Sequence, residues 1–162
     1  MYNYKIKTYL NIIFYISLIS LISAFFIEYV LGHQPCNLCL IERIPYGLCI
    51  ILIILNYFKK INEKFIILLL ILIFFFSFII SSYHFGIEQG FFEESRVCNL
   101  KNASDIISKE ELLKQLQIKT ISCKDVTFRI FGFSLTTFNI ILSLFLLILL
   151  TNIFKDYAKF QK

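Results

Sequence analysis

Two cysteines stand three residues apart, Cys36 and Cys39, in the run QPCNLC that begins at Gln34. Thiols at this spacing can close a small, reducible ring, so the pair predicts redox chemistry. Half of a zinc site is the competing interpretation, although the sequence has no second C-x-x-C and no H-x-x-x-H partner. A c-type haem attachment is excluded because Leu40, and not a histidine, follows Cys39.

The residues after this pair place a cation on the same helical face. If a helix starts near Pro35, a favoured first-turn residue, its N-terminal amides and dipole favour a thiolate at Cys36. Arg43 comes four residues after Cys39, and Tyr46 lies a further turn along that face. We therefore expect the Arg43 guanidinium about one turn from a redox-active sulfur, with snorkelling to the headgroups as the alternative. Tyr46 is expected in the interfacial aromatic belt, with contact to a ligand as its alternative.

A second cysteine pair, Cys98 and Cys123, lies far along the chain. A disulfide between them would close a large loop and could act as a structural staple. In the mechanistic alternative, the pair exchanges with thiols of a soluble partner and hands electrons to the first pair. The fifth cysteine, Cys49, lies inside an apolar run and is expected to be an inert buried thiol.

Three further polar residues flank the apolar runs. His84 could donate a hydrogen bond to a bound carbonyl or move a proton, or it could be an interfacial histidine with no role. His33 is expected to be a plain loop residue, and a haem held between the two histidines is a further alternative. Glu28 stands near the end of an apolar run, where a carboxylate requires water or a partner.

The elements that must position these residues are membrane spans. The chain has 162 residues, of which 58% are hydrophobic and 17% charged, and its mean hydropathy is +0.76. This composition excludes an ordinary soluble domain. Four runs are long and apolar enough to cross a hydrocarbon core of about 30 Å, namely residues 9–31, 40–58, 65–83 and 131–154. We predict an all-α, four-helix transmembrane bundle that forms a single integral membrane domain over residues 1–162.

The lysines of the termini and of one short loop indicate the orientation. They collect on one side of the four spans, as Lys5, Lys7, Lys59, Lys60, Lys64, Lys155, Lys159 and Lys162. Because positive residues favour the cytoplasmic side, both termini are predicted to be cytoplasmic. Loops 32–39 and 84–130 would then face the oxidising periplasm of a bacterial inner membrane. Ser108 and Glu111 form a capping box that predicts a short amphipathic helix to about Gln117 in the second outer loop.

Taken together, these motifs resemble the family of disulfide bond formation protein B (DsbB). The resemblance is carried by QPCNLCLIERIPY at 34–46, YHFGIE at 83–88, the two later cysteines, and FGFS at 131–134. It implies that Cys36 and Cys39 are a quinone-coupled pair and that Arg43 belongs to the quinone site. It also implies that Cys98 and Cys123 reoxidise a periplasmic partner, and that His84 is the family's histidine near the quinone.

By this resemblance the protein is a thiol:quinone oxidoreductase that supports disulfide bond formation. Its cofactor would be ubiquinone or menaquinone, and its partners a periplasmic thioredoxin-like (DsbA-like) dithiol oxidase and membrane lipid, with no nucleic acid. The chain departs from relatives in lacking tryptophan, so aromatic packing near the second pair must use Phe91, Phe92 or Phe128. Two alternatives stay open: a quinone-coupled enzyme resembling vitamin K epoxide reductase, and a non-catalytic membrane module that binds haem or metal.

Overall fold

The computed structural model describes residues 2–59, 62–93, 98, 122–124, 128–130 and 132–160. Within these residues, four long helices follow one another along the chain: α1 (Tyr2–Tyr29), α2 (Asn37–Lys59), α3 (Glu63–Glu88) and α4 (Leu135–Phe160). Each contains a stretch long and apolar enough to cross a membrane, at Ile6–Tyr29, Asn37–Lys59, Glu63–Glu88 and Leu135–Lys159. The predicted four-helix transmembrane bundle is confirmed. The amphipathic helix predicted near residues 108–117 lies outside the described residues.

The third helix extends beyond the apolar run from which it was predicted. It continues to Glu88, so His84 lies in its last turns and not at the start of the following loop. The helix is closed by a turn in which the Phe91 amide donates to the Gly86 carbonyl at 2.8 Å, while Gly90 adopts a φ of 78°. His84 and Glu88 are therefore one turn apart on the same helical face.

A short hairpin precedes α4. Strands β1 (Arg129–Ile130) and β2 (Phe133–Ser134) are antiparallel, with Arg129 opposite Ser134 and Ile130 opposite Phe133. Gly132, at a φ of 86°, supplies the left-handed backbone that the turn requires. The apolar run predicted as a span over residues 131–154 therefore includes strand β2, and its helix begins at Leu135. Strands of two residues are too short to show a period that would separate them from the helix.

The bundle buries one core along its length. Helix α2 packs between α1 and α3, and α3 packs along α4. Fully buried side chains from all four helices meet there, including Ile13, Cys49, Phe74 and Leu146. The outer faces carry many exposed large apolar side chains. Helices that are apolar on every face are typical of a membrane bundle, where lipid takes the place of water.

Candidate active site

The C-x-x-C pair lies at the N-terminus of α2. The carbonyl of Cys36 accepts a hydrogen bond from the Leu40 amide at 3.2 Å, and its sulfur accepts one from the Cys39 amide at 3.3 Å. Cys36 is thus the N-cap residue of the helix. The two sulfurs lie 2.7 Å apart, and both cysteines are free thiols, Cys36 buried and Cys39 half-buried. A small movement would bring the sulfurs to bonding distance, so an acceptor of two electrons and two protons could convert this pair into a disulfide.

His84 reaches the first cysteine from α3. Its Nε2 lies 3.5 Å from Sγ of Cys36, and its side chain is only 1% exposed. The imidazole is therefore held against one sulfur of the pair in a site with little access to water. His84 is thus a buried residue and not an interfacial one.

The environment of Cys36 favours its thiolate. The hydrogen bond from the Cys39 thiol lowers the pKa of Cys36 most, and the hydrogen bond and charge of His84 lower it further. Burial acts in the opposite direction, because it penalises a charge, yet the net pKa is lowered to about 5. These contacts therefore favour the thiolate form of Cys36 in the reduced pair.

Two polar residues that the sequence interpretation did not single out complete the surroundings of His84. Oε1 of the buried Glu42 lies 2.9 Å from Nδ1 of His84. The other carboxylate oxygen accepts a hydrogen bond from Nδ2 of Asn139 at 3.0 Å, and the same amide group donates to Ser81 at 2.7 Å. A signal for Glu42 was present, because an ionisable residue within an apolar span marks a candidate functional site by default.

A second carboxylate flanks the same imidazole. Oε1 of Glu88 lies 4.0 Å from Nε2 of His84. Both Glu88 oxygens also accept hydrogen bonds, one from the hydroxyl of Ser134 at 2.6 Å and the other from that of Thr136. The hairpin and the first turn of α4 therefore fix this carboxylate in place.

Arg43 contacts α1 instead of the cysteines. Its guanidinium forms an ion pair with Glu28 and lies 5.2 Å from the ring centroid of Phe25. Its side chain is 17% exposed and that of Glu28 is 19% exposed. Glu28 thus has the partner that its position in a span requires, and Arg43 still lines the cavity next to the cysteines.

Tyr46 is a core residue, and the expectation of an interfacial belt position is wrong. Its side chain is 3% exposed, and its ring packs on Phe74 with a centroid distance of 5.8 Å. The hydroxyl donates to Oδ1 of Asn139 and lies 3.4 Å from the hydroxyl of Ser143. An interfacial position was expected because the tyrosine hydroxyl needs a hydrogen-bond partner. In this structure the partners lie inside the bundle.

The second cysteine pair lies beside the first. Cys98 and Cys123 form a disulfide with a Cα separation of 5.9 Å, and both are buried. They belong to one buried cluster with Cys36, against which Cys39 also packs. Nδ2 of Asn37, the first residue of α2, donates to the Cys98 carbonyl at 3.3 Å. The four predicted catalytic cysteines are therefore collected at one end of the bundle.

A cavity of about 450 Å³ adjoins both pairs. Much of its apolar lining comes from α1 and α4, with residues such as Ile16, Ile27 and Leu142. The lining also includes the functional groups of the site: Cys36, Cys39, Arg43, His84 and Cys123. An apolar cavity with a few convergent polar groups is the usual form of a small-molecule site.

The remaining cysteine and histidine lie away from this chemistry. Cys49 is fully buried in the core, and its sulfur accepts a hydrogen bond from Ser17 at 3.5 Å. The ring of His33 packs against Phe128 with a centroid distance of 4.9 Å, although His33 also lines the cavity. Phe92 contacts Tyr83, with a centroid distance of 5.6 Å.

The sulfurs of Cys36 and Cys39 and a ring nitrogen of His84 lie within 4.8 Å of one another, a spacing that could hold a metal ion. Two thiolates on one tetrahedral zinc would lie roughly 3.8 Å apart, because each bond is about 2.3 Å long. The observed sulfur separation of 2.7 Å is shorter than that. The pair as it stands is closer to a disulfide than to a metal site.

A bundle of four membrane helices with a C-x-x-C beside an imidazole and an apolar cavity defines a class, the membrane thiol oxidoreductases. The chain belongs to the DsbB family, described as disulfide bond formation protein DsbB, which it matches over residues 7–153. It is therefore a membrane oxidoreductase of disulfide bond formation. The chain is also similar to the uncharacterized protein RP370 of Rickettsia prowazekii (strain Madrid E), with 30% identity over 137 residues, 83% of this chain and 80% of that protein. No solved structure matches the chain significantly.

Proposed function

We propose that this protein reoxidises a periplasmic thioredoxin-like disulfide oxidase of the DsbA type and passes the electrons to a lipid quinone. The observation that carries this proposal is that one apolar cavity touches both cysteine pairs, through Cys36, Cys39 and Cys123. A lipid-soluble acceptor in that cavity would lie next to the sulfurs it oxidises. The catalytic residues of the proposal are Cys36, Cys39, Cys98 and Cys123.

The cavity suits a quinone ring, which is flat and apolar and has carbonyl oxygens that accept hydrogen bonds. Side chains such as Ile16 and Leu142 offer apolar walls, and Arg43 is a donor that would hold a carbonyl oxygen. His84 would be a second donor once its Nε2 has taken up a proton. When bound, a quinone supplies an acceptor for two electrons and two protons. Ubiquinone and menaquinone share this pattern of ring and carbonyls, and the proposal includes either.

The outer step uses the disulfide between Cys98 and Cys123. A partner thiolate attacks one of these sulfurs, the other leaves as a thiolate, and a mixed disulfide forms. The second partner thiol then displaces the bound cysteine. The partner leaves oxidised, and Cys98 and Cys123 remain as two thiols that hold its two electrons.

The inner step moves these electrons across the cluster of sulfurs. A thiolate of the outer pair attacks the disulfide between Cys36 and Cys39, and closure of the outer disulfide releases the inner pair as thiols. The structure has the outer pair as a disulfide and the inner pair as thiols, which is the arrangement that this step leaves. Burial of both pairs in one cluster keeps the exchange within a short distance.

The proposed location is the inner membrane of a bacterium, with both termini in the cytoplasm. It is supported by the lysines at the termini and in the loop after α2, which would face the cytoplasm. Both cysteine pairs would then face the periplasm, where disulfides persist and a soluble oxidase can dock. The whole of residues 1–162 would act as one integral membrane domain.

Quinone reduction by the purified protein tests this proposal. Reduced DsbA-like oxidase is mixed with the protein in detergent and a short-chain ubiquinone or menaquinone, and loss of quinone absorbance is followed. Cys36→Ser and Cys39→Ser are each expected to abolish the reaction, with Cys49→Ser as the matched control that retains it. Full activity of either active-site variant would refute the proposal.

A second experiment tests whether the disulfide between Cys98 and Cys123 transfers electrons or only stabilises the structure. The double variant Cys98→Ser/Cys123→Ser is expected to lose activity with the protein donor and to keep it with dithiothreitol, a small dithiol that can reach the inner pair. If the outer disulfide were only a staple, both donors would be affected alike. Net flow from quinol to a protein disulfide would instead favour an enzyme resembling vitamin K epoxide reductase.

The three ligand atoms of Cys36, Cys39 and His84 lie within 4.8 Å of one another, which gives a second candidate, a site for a soft metal ion. Binding would require the two sulfurs to move apart from their present 2.7 Å. Its test is metal analysis of the purified protein together with visible absorption. Stoichiometric zinc that survives dialysis, or a Soret band, would favour a binding module over the redox enzyme.

A further inference from the structure

We infer that Cys36, His84 and Glu42 form a thiol–imidazole–carboxylate relay, in which His84 takes the proton of Cys36 while Glu42 and Asn139 position the imidazole. The inference rests on the proposed function in one respect, that Cys36 is a reacting thiol. It adds the group that ionises this thiol and two positioning residues on α2 and α4.

The two contacts of His84 lie on opposite edges of its ring. Nδ1 is 2.9 Å from a carboxylate oxygen of Glu42, and Nε2 is 3.5 Å from Sγ of Cys36. The relay requires Glu42 to be ionised; its carboxylate can then only accept, and the contact places the ring proton on Nδ1. Nε2 is then left with its lone pair facing the thiol, which is the tautomer that a general base needs.

The proton balance of the step is simple. The S–H bond of Cys36 breaks and an N–H bond forms at Nε2 of His84, which leaves a thiolate and an imidazolium. The Glu42 carboxylate stays ionised and stabilises that imidazolium through the bond at Nδ1. No electrons move in this step, so it requires no oxidant.

Glu42 is itself held from the far side. Asn139 donates to its second oxygen at 3.0 Å and to Ser81 at 2.7 Å, and the Asn139 carbonyl oxygen accepts from Tyr46. The relay therefore joins α2, α3 and α4, and its geometry depends on the packing of three helices. With Glu42 and His84 both buried, little water competes for these bonds.

The other groups around the imidazole do not replace Glu42. Glu88 lies 4.0 Å from Nε2, but its oxygens accept from Ser134 and Thr136. The Thr136 hydroxyl, 3.4 Å from Nδ1, is neutral. Cys39 faces Cys36 at 2.7 Å, and the cation Arg43 is paired with Glu28. Among the described residues, Glu42 is the one whose carboxylate lies within hydrogen-bond distance of the His84 ring, at 2.9 Å.

The relay predicts which sulfur of the pair carries the negative charge. His84 contacts Cys36, and the Cys39 amide also donates to the Cys36 sulfur at the N-terminus of α2. Both contacts stabilise a thiolate at Cys36, with the Cys39 thiol as a further donor. The lowered pKa of Cys36 agrees with this geometry.

The test measures ionisation directly and needs neither quinone nor partner. The fully reduced protein in detergent is pulsed with iodoacetamide between pH 4 and 9, and fragment masses separate modification of Cys36 from that of Cys39. The wild-type midpoint for Cys36 is expected near 5. Glu42→Gln is expected to raise it by about one to three pH units, because the amide can present an N–H to Nδ1 and hold the wrong tautomer. Ser17→Ala, which removes a buried hydroxyl that bonds to Cys49 and not to the relay, is the matched control.

A second variant covers the case in which Glu42→Gln does not fold. Asn139→Ser keeps every charge and removes the amide that orients Glu42, so a smaller rise in the same midpoint is expected. Thermal unfolding is measured on every variant. A variant that lowers Tm and leaves the midpoint within about 0.3 pH units of wild type would show a structural role only and overturn the inference.

Failure of this inference is distinguishable from failure of the proposed function. If Cys36→Ser keeps quinone reduction, the proposed function fails whatever the alkylation midpoints show. If Cys36→Ser is inactive while Glu42→Gln and His84→Asn leave the midpoint unchanged, the proposed function stands and the relay is wrong. Faster alkylation of Cys39 than of Cys36 at pH 6 would likewise overturn the assignment of the thiolate.

Discussion

The guanidinium of Arg43 on α2 is ion-paired with the carboxylate of Glu28 on α1, so the cation that follows the C-x-x-C on α2 is neutralised by the neighbouring helix. Each charge lies within a span, where an unpaired charge is costly. The pair therefore allows an arginine to line the cavity without exposing a net charge to lipid. It also joins α1 to the helix that carries the cysteines.

Glu28→Gln is expected to destabilise the protein by about 1–3 kcal/mol, between the values for exposed and fully buried ion pairs. Arg43→Gln should have an effect of similar size, since it leaves Glu28 unpaired. The double variant should lose less than the sum of the two, because neither charge is then left alone. The free energy of unfolding in mixed micelles, measured for the four proteins of this cycle, checks the expectation. Strictly additive losses would mean that the ion pair contributes nothing.

A second prediction concerns the pH dependence of the reduced protein. The pKa of Cys36 is lowered in the folded state to about 5, against 9.0 for an ordinary thiol. Between these two values the folded state carries a thiolate while the unfolded state still binds the proton, so stability rises with pH. This contribution is fully present above pH 9 and is lost as the pH falls through 5.

The check is the denaturation midpoint of the protein kept reduced with a phosphine, at pH 5, 7 and 9. Cys36→Ser is the control, because serine has no charge to gain in this range. The difference between the two proteins should grow in favour of the wild type as the pH rises. Parallel curves across the whole range would contradict a lowered thiol pKa.

The class of fold could be predicted from hydropathy alone, because the length of an apolar run measures a membrane span directly. The place of the C-x-x-C was predictable for a similar reason. Pro35 and the start of an apolar run indicate a helix N-terminus, and the helix begins at Asn37. In both cases the signal lies within a continuous segment of the chain.

The contacts between helices were not predictable. Arg43 was expected about one helical turn from a sulfur, and its backbone does lie one turn after Cys39 on α2. Its side chain is directed to Glu28, because α1 packs beside α2. Glu42 and Asn139 are distant in sequence. They come into contact only when α2 and α4 pack with these two residues facing each other. A single sequence carries the period of each helix but not the register between helices.

Cys49 is predicted to have no part in electron transfer. It is fully buried, bonded to Ser17, and lies in the core and not in the cluster of the four other cysteines. Cys49→Ala should leave quinone reduction within about twofold of wild type and cost about 1 kcal/mol of stability, as for other small losses of core volume. In the native reduced protein, Cys49 should resist iodoacetamide until the chain is unfolded. A loss of activity comparable to that of Cys36→Ser would contradict this assignment.

The buried hydroxyl of Tyr46 yields the last prediction. It donates to the carbonyl oxygen of Asn139, whose amide in turn holds Glu42. Tyr46→Phe keeps the ring packed on Phe74 and removes only the hydroxyl, so Asn139 loses the donor that Tyr46 supplies from α2. The expected loss is about 1 kcal/mol, in the range of single hydrogen bonds between membrane helices.

Unfolding in mixed micelles, with Tyr15→Phe as the matched control, measures this loss. The Tyr15 ring is 60% exposed on the outer face of α1, and its substitution should change stability by less than about 0.5 kcal/mol. Because Asn139 also orients Glu42, Tyr46→Phe should raise the alkylation midpoint of Cys36 slightly, by less than Asn139→Ser does. If Tyr46→Phe were as stable as Tyr15→Phe and had the wild-type midpoint, the hydrogen bond from Tyr46 to Asn139 would support neither the bundle nor the relay.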